Sequence, residues 1–247
     1  MLGLLVPLLN SIVKGLKSFF NFLFPSLCLR CKKTLSPDEA LFCNCCVKTL
    51  PLAKAYCKRC GTILKETLLN YFTPEKLTYC GHCENNTPFY DKTFLGFKYE
   101  NPIKELLIEA KFRENYMIAY QLGRLLRKVI SLPLKVYDLY LPIPLSKERE
   151  RARGYNQSLL LLWGFLGFQL PCGTLKRIRH TTPQSQLSPE DRLENVRGVF
   201  AVSEKLNDSR VLLIDDVLTT GATANEASKT LKKAGAKEVH LLVLSRA

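Results

Sequence analysis

The hydrophobic and polar positions in the last third of the chain predict a strand, a helix and a second strand. Residues 211–214 form a continuous apolar run, which is typical of a strand buried on both faces of a parallel sheet. Alanine and leucine then recur at helical spacing from Ala224 to Ala234, and Gly235 is suited to ending that helix. A second apolar run covers residues 237–245. We therefore predict a right-handed strand–helix–strand crossover of an α/β fold.

Shorter elements are predicted for the middle of the chain. Weak alternation over residues 94–99 and an apolar run over residues 139–143 each predict a strand. Between them, residues 102–129 carry helical periodicity with a break near Glu114 and Asn115, which predicts one or two helices. We interpret the charged positions of these helices, Lys111 among them, as a solvated face.

Two polar stretches are predicted to be loops. Residues 147–157 carry four cations and two carboxylates, and we predict a polar loop here, followed by an apolar helix over residues 159–165. Crowded cations repel one another unless solvent or a bound anion neutralises them. A pyrophosphate would complete this balance, with Arg153 or an arginine of the second loop as its contact. That second loop, residues 181–194, has no periodicity of its own, and a loop of this kind often acts as a lid.

The first 24 residues are nearly free of charge, but their polar positions follow helical spacing. This pattern predicts an amphipathic helix that ends at Pro25 and does not span a membrane. No positive charge precedes the apolar run, so we do not expect a cleaved signal peptide. The helix either packs on the rest of the protein or lies in a membrane interface with Lys14 and Lys17 facing anionic lipid.

Nine of the ten cysteines lie between Cys28 and Cys83, which marks off a separate module. Eight of them form four C-x-x-C pairs, the spacing of zinc knuckles. In sequence order they predict two structural zinc sites, the first formed by Cys28, Cys31, Cys43 and Cys46, and the second by Cys57, Cys60, Cys80 and Cys83. A disulfide framework is the alternative, but the scarcity of cysteine elsewhere favours zinc in a reducing cytoplasm. Cys45 is left over.

The formal net charge of +14 points to a polyanionic partner, which is nucleic acid, a phosphate-bearing metabolite or an anionic membrane face. Around the cysteine pairs, lysine and arginine alternate with aromatic residues, including Phe42, Tyr56 and Tyr79. These are the ingredients of a surface for single-stranded nucleic acid. Solvated lysines around small ribbons explain the same pattern equally well.

Two carboxylates, Asp215 and Asp216, follow the apolar run at 211–214, and a hydroxyl-rich turn comes next. Carboxylates at the end of a buried strand can meet ribose hydroxyls or Mg²⁺, while backbone N–H groups and hydroxyls of the turn can surround a phosphate. Gly221 permits a positive φ and close approach of the backbone. The segment therefore predicts a site for a phosphorylated ribose.

This segment resembles the PRPP-binding signature of type I phosphoribosyltransferases. The resemblance implies that Asp215 and Asp216 hold the ribose hydroxyls, and that the 5′-phosphate is held by Thr219, Thr220, Gly221, Ala222 and Thr223. Purine-salvage members carry a catalytic carboxylate where this chain has Thr219, so no general base for a purine acceptor is in view. Departure of pyrophosphate from PRPP depends mainly on charge stabilisation and can proceed without a base.

Further motifs extend the resemblance to the ComF family of competence-associated proteins, from about residue 24 to the end. They occur in the family's order: residues 27–31, the run Arg153-Gly-Tyr-Asn-Gln157, Pro183-Gln184 with Leu187, Arg192 and Asn195-Val196, Phe200, and the PRPP-type segment. The family joins an amino-terminal double zinc ribbon to a phosphoribosyltransferase-like domain. It is associated with uptake and handling of single-stranded DNA during natural transformation.

The helical spacing predicts an amphipathic helix over residues 1–25, a start that is atypical of the family. The resemblance implies a double zinc ribbon over 26–88 and a phosphoribosyltransferase-like parallel sheet flanked by helices over 89–247. We expect a cytoplasmic protein, and peripheral attachment to the inner face of the membrane is left open. The protein is expected to bind two zinc ions, and Mg²⁺ together with PRPP. The amino-terminal helix would contact the membrane surface or the competence machinery. Three activities stay open: handling of single-stranded DNA, phosphoribosyl transfer to a base, and sensing of PRPP without turnover.

Overall fold

A computed structural model of the protein describes residues 25–64, 79–112, 115–170, 173–179 and 195–247. The chain forms two compact units, Met1–Thr49 and Leu50–Ala247. The predicted amino-terminal helix and the predicted lid at residues 181–194 lie outside the described residues. Within the described ranges, none of the helices has both the length and the apolar character needed to cross a membrane.

The first unit is a small ribbon built around four cysteines. Isolated bridges join Leu27 to Thr34 and Ala40 to Phe42, and a single-turn helix, α1, covers Asn44–Val47. Its described core is formed by Cys28, Ala40, Phe42, Cys43 and Val47. So few apolar side chains bury little surface, which leaves metal coordination as the main source of folding free energy for this ribbon.

The second unit contains a four-stranded parallel sheet. Its order is β1-β6-β5-β2, and a separate antiparallel pair joins β3 to β4. The strands are β1 (Lys92–Lys98), β2 (Leu139–Pro142), β3 (Leu175–Arg177), β4 (Phe200–Val202), β5 (Arg210–Leu218) and β6 (Glu238–Arg246). The central residues of β5 and β6 are fully buried, as the continuous apolar runs predict.

Helices cover both faces of this sheet. The α-helices described in the second unit are, in chain order, α2 (Gly81–Asn85), α3 (Ile103–Phe112), α4 (Tyr116–Val129), α5 (Lys147–Arg153), α6 (Gln157–Leu166) and α7 (Ala222–Lys233). On one face α4 and α6 pack closely together, and α7 shares the core of the opposite face with β3 and β4. The predicted fold class, a parallel sheet flanked by helices, is confirmed.

The prediction of a polar loop over residues 147–157 is wrong for its first half, which forms α5. Ser146 caps this helix by accepting a hydrogen bond from the Arg149 N–H, and Glu148 and Glu150 lie in the first turn, where a helix favours negative charge. Gly154 ends the helix in the left-handed conformation, with φ of 75°. The cap, the acidic first turn and the glycine stop were all visible in the sequence.

The sequence predicted that the two carboxylates follow the end of their strand. This prediction is wrong, because β5 continues beyond them to Leu218. On one side β5 pairs with β6 along this whole length. On the other side β2 pairs with β5 only as far as Ile214. Asp215 and Asp216 therefore lie inside a strand, at the point where its neighbour stops and the sheet opens.

We predict that alanine at Gly123 or Gly164 destabilises the protein. A Cβ atom at Gly123 would overlap the Leu161 carbonyl oxygen, and one at Gly164 would overlap the Tyr120 carbonyl oxygen, since α4 and α6 touch through their backbones. Each change should lower the free energy of unfolding by about 1–3 kcal/mol, as overpacking does. Gly81→Ala is the control, because nothing lies within 4 Å of its Cβ position. Urea titrations in which all three variants match the wild type would contradict the close packing.

Candidate functional site

A cavity of about 510 Å³ opens where β2 ends beside β5. Its walls come from elements far apart in the chain: Lys111 of α3, Arg149 and Arg153 of α5, Gln157 and Ser158 of α6, Arg177 of β3, Asp215 and Asp216 of β5, and Thr219 and Thr223 of the following turn. The structure thus brings together the predicted residues Asp215, Asp216, Arg153, Thr219 and Thr223. Residues 220–222 form the turn between the two threonines and do not line the cavity.

The two carboxylates are held by hydrogen bonds from their own strand and from α6. Asp215 Oδ1 accepts from the Ser158 hydroxyl at 3.1 Å and from the Asp216 N–H at 2.9 Å. Asp216 Oδ1 accepts from the Val217 N–H at 2.7 Å. Burial, with the negative charge of Asp216 adding to it, raises the pKa of Asp215 to about 7. Near neutral pH Asp215 is therefore only partly ionised.

Lys111 neutralises part of this charge. Its Nζ lies 2.8 Å from Asp216 Oδ2, and both side chains are largely buried, at 21% and 14% exposure. The interpretation of Lys111 as part of a solvated helix face is wrong, because α3 ends beside the cavity and directs this lysine inward. No signal in the sequence separates Lys111 from Lys104, the other lysine of its helix, since the partner of Lys111 lies 105 positions away.

Three arginines face the carboxylates across the cavity and exceed them in charge. Burial and the neighbouring Arg153 lower the pKa of Arg149. Burial and the charge of Arg149 lower the pKa of Arg177 to about 10, so the Arg177 guanidinium stays cationic at neutral pH. Arg149 Nη2 is buried and has no hydrogen-bond partner within the described ranges. Buried cations that repel one another favour an anionic ligand.

The turn after β5 has the backbone form that an anion site uses. Gly221 adopts a φ of 82° as the amino-terminal cap of α7, and Thr220 Oγ1 accepts a hydrogen bond from the Ala222 N–H at 3.3 Å. Thr223 lies in the first turn of α7 and lines the cavity, so the positive end of the helix dipole borders it. The carboxylates, the cationic side chains and this turn thus border the same cavity.

The eight predicted metal ligands form two quartets, Cys28, Cys31, Cys43 and Cys46 in the first unit, and Cys57, Cys60, Cys80 and Cys83 in the second. Within each quartet all sulfur atoms lie within 4.8 Å of one another. The measured Sγ–Sγ distances of 3.5–3.8 Å match the edge of a tetrahedron with Zn–S bonds of about 2.3 Å. Both quartets therefore fit structural zinc. Cys45 is exposed and belongs to neither quartet.

Hydrogen bonds from backbone and hydroxyl groups favour the thiolate form of one cysteine in each quartet. Burial opposes ionisation of Cys28, but the N–H groups of Cys31, Cys43 and Arg30 lower its pKa to about 6. Burial likewise opposes ionisation of Cys60, and hydrogen bonds from Thr62 outweigh it and lower the pKa to about 7. Thiolates are the form that binds zinc.

Two of the ribbon aromatic residues that the sequence suggested for base stacking, Phe42 and Tyr56, are buried, at 2% and 7% exposure. Tyr79 is exposed beside the Arg59 guanidinium, and Tyr71 and Phe72, which belong to the same pattern, lie outside the described residues. A second aromatic surface lies beside Arg153, which lines the cavity. We call Phe112, Tyr116 and Tyr155 the aromatic rim.

The aromatic rim is joined to the cavity by Arg153. The Arg153 guanidinium lies 5.5 Å from the centre of the Phe112 ring, and Tyr116 meets Tyr155 edge to face at 6.4 Å between ring centres. Phe112 is 70% exposed and Tyr116 is 55% exposed. Sequence analysis missed this surface because its rings come from two helices and a loop.

Comparisons with known proteins match both parts of the chain. The double zinc ribbon domain family matches residues 19–84, and the phosphoribosyl transferase domain family matches residues 166–247. Competence protein F of Haemophilus influenzae is 33% identical over 93% of this chain and 99% of its own length. Competence protein ComFC of Streptococcus pneumoniae is 30% identical over 86% and 90%. DNA utilization protein YhgH of Salmonella typhimurium is 29% identical over 90% and 97%.

We predict that Asp215→Asn stabilises the unliganded protein increasingly as pH rises. The folded pKa of about 7 exceeds the ordinary value of 3.8, so ionisation of Asp215 opposes folding, and its cost grows from about pH 4 up to pH 7. The stability difference between variant and wild type should therefore rise by about 2–3 kcal/mol between pH 5 and pH 8. Urea unfolding without Mg²⁺ measures it, with exposed Asp208→Asn as the control. A difference that is flat or falls with pH would show that Asp215 is ionised at little cost.

Proposed function

This chain belongs to the ComF family of competence-associated proteins, and on that premise we propose that its cavity binds Mg²⁺-PRPP or a related phosphoribosyl group. The observation that carries the proposal is the division of charge within one cavity, with a carboxylate pair on β5 and three guanidinium groups opposite. Carboxylates accept hydrogen bonds from ribose hydroxyls, and guanidinium groups bind phosphate oxygens in pairs. A ligand with a central sugar and phosphate groups at its two ends would match both the carboxylates and the guanidinium groups.

Each part of PRPP has a complementary group in this arrangement. Asp215 and Asp216 would hold the ribose hydroxyls, and carboxylate oxygens are also ligands that Mg²⁺ prefers. The turn at residues 219–223, at the positive end of α7, would hold the 5′-phosphate. Arg149, Arg153 and Arg177 would hold the pyrophosphate, where Arg149 Nη2 would gain the partner that it lacks among the described residues.

The cavity favours binding over base-assisted chemistry. Thr219 stands where purine-salvage transferases carry a carboxylate, and it has no acid–base function near neutral pH. Lys111 and the arginines could still stabilise pyrophosphate as it leaves, because developing negative charge is stabilised by fixed cations. Measuring pyrophosphate release with a panel of bases separates an active transferase from a protein that binds PRPP without turnover.

Single-stranded DNA is the second ligand that we propose, and the aromatic rim is the observation that favours it. Exposed rings stack on bases of any sequence, and neighbouring cations attract the backbone. The relatives' names refer to competence and to DNA utilization, which agrees with such a ligand. DNA bound on the rim would run past the mouth of the cavity, so the two ligands could influence one another through Arg153.

We predict that Asp215→Asn combined with Asp216→Asn weakens binding of Mg²⁺-PRPP by about 100-fold or more, because two charged hydrogen-bond acceptors are lost. Isothermal titration calorimetry measures the affinity, and Asp208→Asn serves as the exposed control. Near-ultraviolet circular dichroism checks that the double variant is folded. A folded double variant that binds PRPP as tightly as the wild type would place the ligand elsewhere.

We predict that Phe112→Ala combined with Tyr116→Ala weakens binding of a fluorescent oligothymidine by about 10-fold or more, since each stacked base contributes roughly 1–3 kcal/mol. Fluorescence anisotropy at several salt concentrations measures it. Phe168→Ala is the control, because Phe168 is also exposed, at 54%. The DNA site would instead lie on the zinc ribbon if the rim variant kept its affinity for the oligothymidine. In that case Arg59→Ala combined with Tyr79→Ala would lower that affinity. Light scattering tests whether the rim joins two copies of the chain instead.

A further inference from the structure

The second cysteine quartet lies directly behind the turn that borders the cavity. Gly61 follows the Cys57–Cys60 knuckle, and its Cβ position is 3.0 Å from a methyl carbon of Leu218. Leu218 is the last residue of β5, immediately before Thr219. Gly61 has a φ of 72°, so a larger residue would meet backbone strain as well as this contact. The knuckle therefore packs against the base of the turn.

Hydrogen bonds fasten the same knuckle to the sheet through three consecutive carbonyl groups. The Lys58 carbonyl accepts from the Thr93 N–H at 2.6 Å, and the Arg59 carbonyl accepts from the Thr93 hydroxyl. The Cys60 carbonyl accepts from Arg246 Nη1 at 3.4 Å. Arg246 is in register with Leu218 across β6 and β5. The knuckle thus bridges β1 and β6 next to the turn.

Two buried tyrosines extend this packing through the hydrophobic core that Tyr56 and Tyr90 share. Tyr90 is 3% exposed, and its hydroxyl lies 3.1 Å from the Cβ position of Gly221. Tyr56, one residue before Cys57, also belongs to the hydrophobic core shared by β5, β6 and α7.

We propose that zinc in the second quartet positions the turn at residues 219–223, so that affinity for a sugar phosphate depends on this zinc and not on zinc in the first quartet. The inference rests on the proposed function of the cavity. Coordination supplies the folding free energy of a knuckle, and without the ion its thiols separate. Leu218, Tyr90 and Gly221 would then lose the packing that holds the turn in its anion-binding form.

The two quartets provide a matched comparison because they belong to different compact units. Cys60→Ser removes a ligand from the second quartet, and Cys31→Ser removes one from the first. Zinc content by mass spectrometry should fall from two ions to one in each variant. Cys60→Ser should weaken binding of Mg²⁺-PRPP and of ribose 5-phosphate by about 10- to 100-fold, as lost support around a site does. Cys31→Ser should bind both ligands as the wild type does.

A second variant pair tests the connection without touching the cysteines. Thr93→Val combined with Arg246→Met removes the donors to Arg59 and Cys60 while leaving both zinc ions in place. Thr49→Val is its control, because the Thr49 hydroxyl donates to the Cys46 carbonyl at 2.8 Å in the first unit. We expect the double variant to bind ribose 5-phosphate more weakly than the wild type. The control, Thr49→Val, should bind it as tightly as the wild type does. If Cys60→Ser fails to fold, this pair of variants still tests whether the second quartet positions the turn at residues 219–223.

Hydrogen exchange tests the inference without any ligand. Backbone amides of residues 217–223 should exchange faster after zinc is removed from the second quartet, and adding one equivalent of zinc to stripped Cys31→Ser should restore slow exchange. Equal exchange with and without zinc, or equal losses of affinity in Cys31→Ser and Cys60→Ser, would overturn the inference. If the zinc-loaded wild type binds neither ligand, the proposed function fails, while the exchange data still test the link between quartet and turn.

Discussion

The burial of two adjacent carboxylates in a central strand is the constraint on which the rest of this protein depends. Asp215 and Asp216 lie in β5, where apolar residues precede them and β6 pairs with the strand on one side. A buried carboxylate without partners costs several kcal/mol. The surrounding elements reduce this cost in different ways. Lys111 pairs with Asp216, Ser158 donates to Asp215, and Asp215 keeps a pKa near neutrality. The early end of β2 opens the sheet beside the pair, so the remaining charge faces a cavity that a ligand can enter.

Among the described residues that line the cavity, cationic side chains outnumber carboxylates. Three arginines and one lysine face a carboxylate pair whose more buried member is partly protonated at neutral pH. Burial, and then repulsion between neighbouring arginines, lowers the pKa of Arg149 and Arg177, which means that folding keeps these groups together at a cost in electrostatic free energy. An anionic ligand would relieve that repulsion. The proposed binding of a phosphoribosyl group therefore rests on the cavity as a whole and not on the turn at residues 219–223 alone.

The two zinc sites have the same chemistry but different structural surroundings. The first quartet organises a ribbon with a small core of its own, in a separate compact unit. The second belongs to the unit that contains the sheet, and Tyr56 beside it enters the core of that sheet. Sequence spacing could predict both quartets but not this difference. Each C-x-x-C pair is a local feature, whereas the packing of Gly61 on Leu218 depends on how distant segments meet.

The sequence by itself determined the elements whose causes are local. The apolar runs of β5 and β6, the helical spacing of α7 and the cysteine pairs each depend on neighbouring residues, and the PRPP-type segment is continuous. The cap of α5 was equally local and was overlooked because crowded charge suggested a loop. Only the tertiary structure decided that Lys111 faces Asp216, that Phe42 and Tyr56 are buried, and that Phe112 and Tyr116 form an exposed rim. The physical reason is that side-chain burial and ion pairing depend on which segments meet in space, and one chain's residue order does not record those distances.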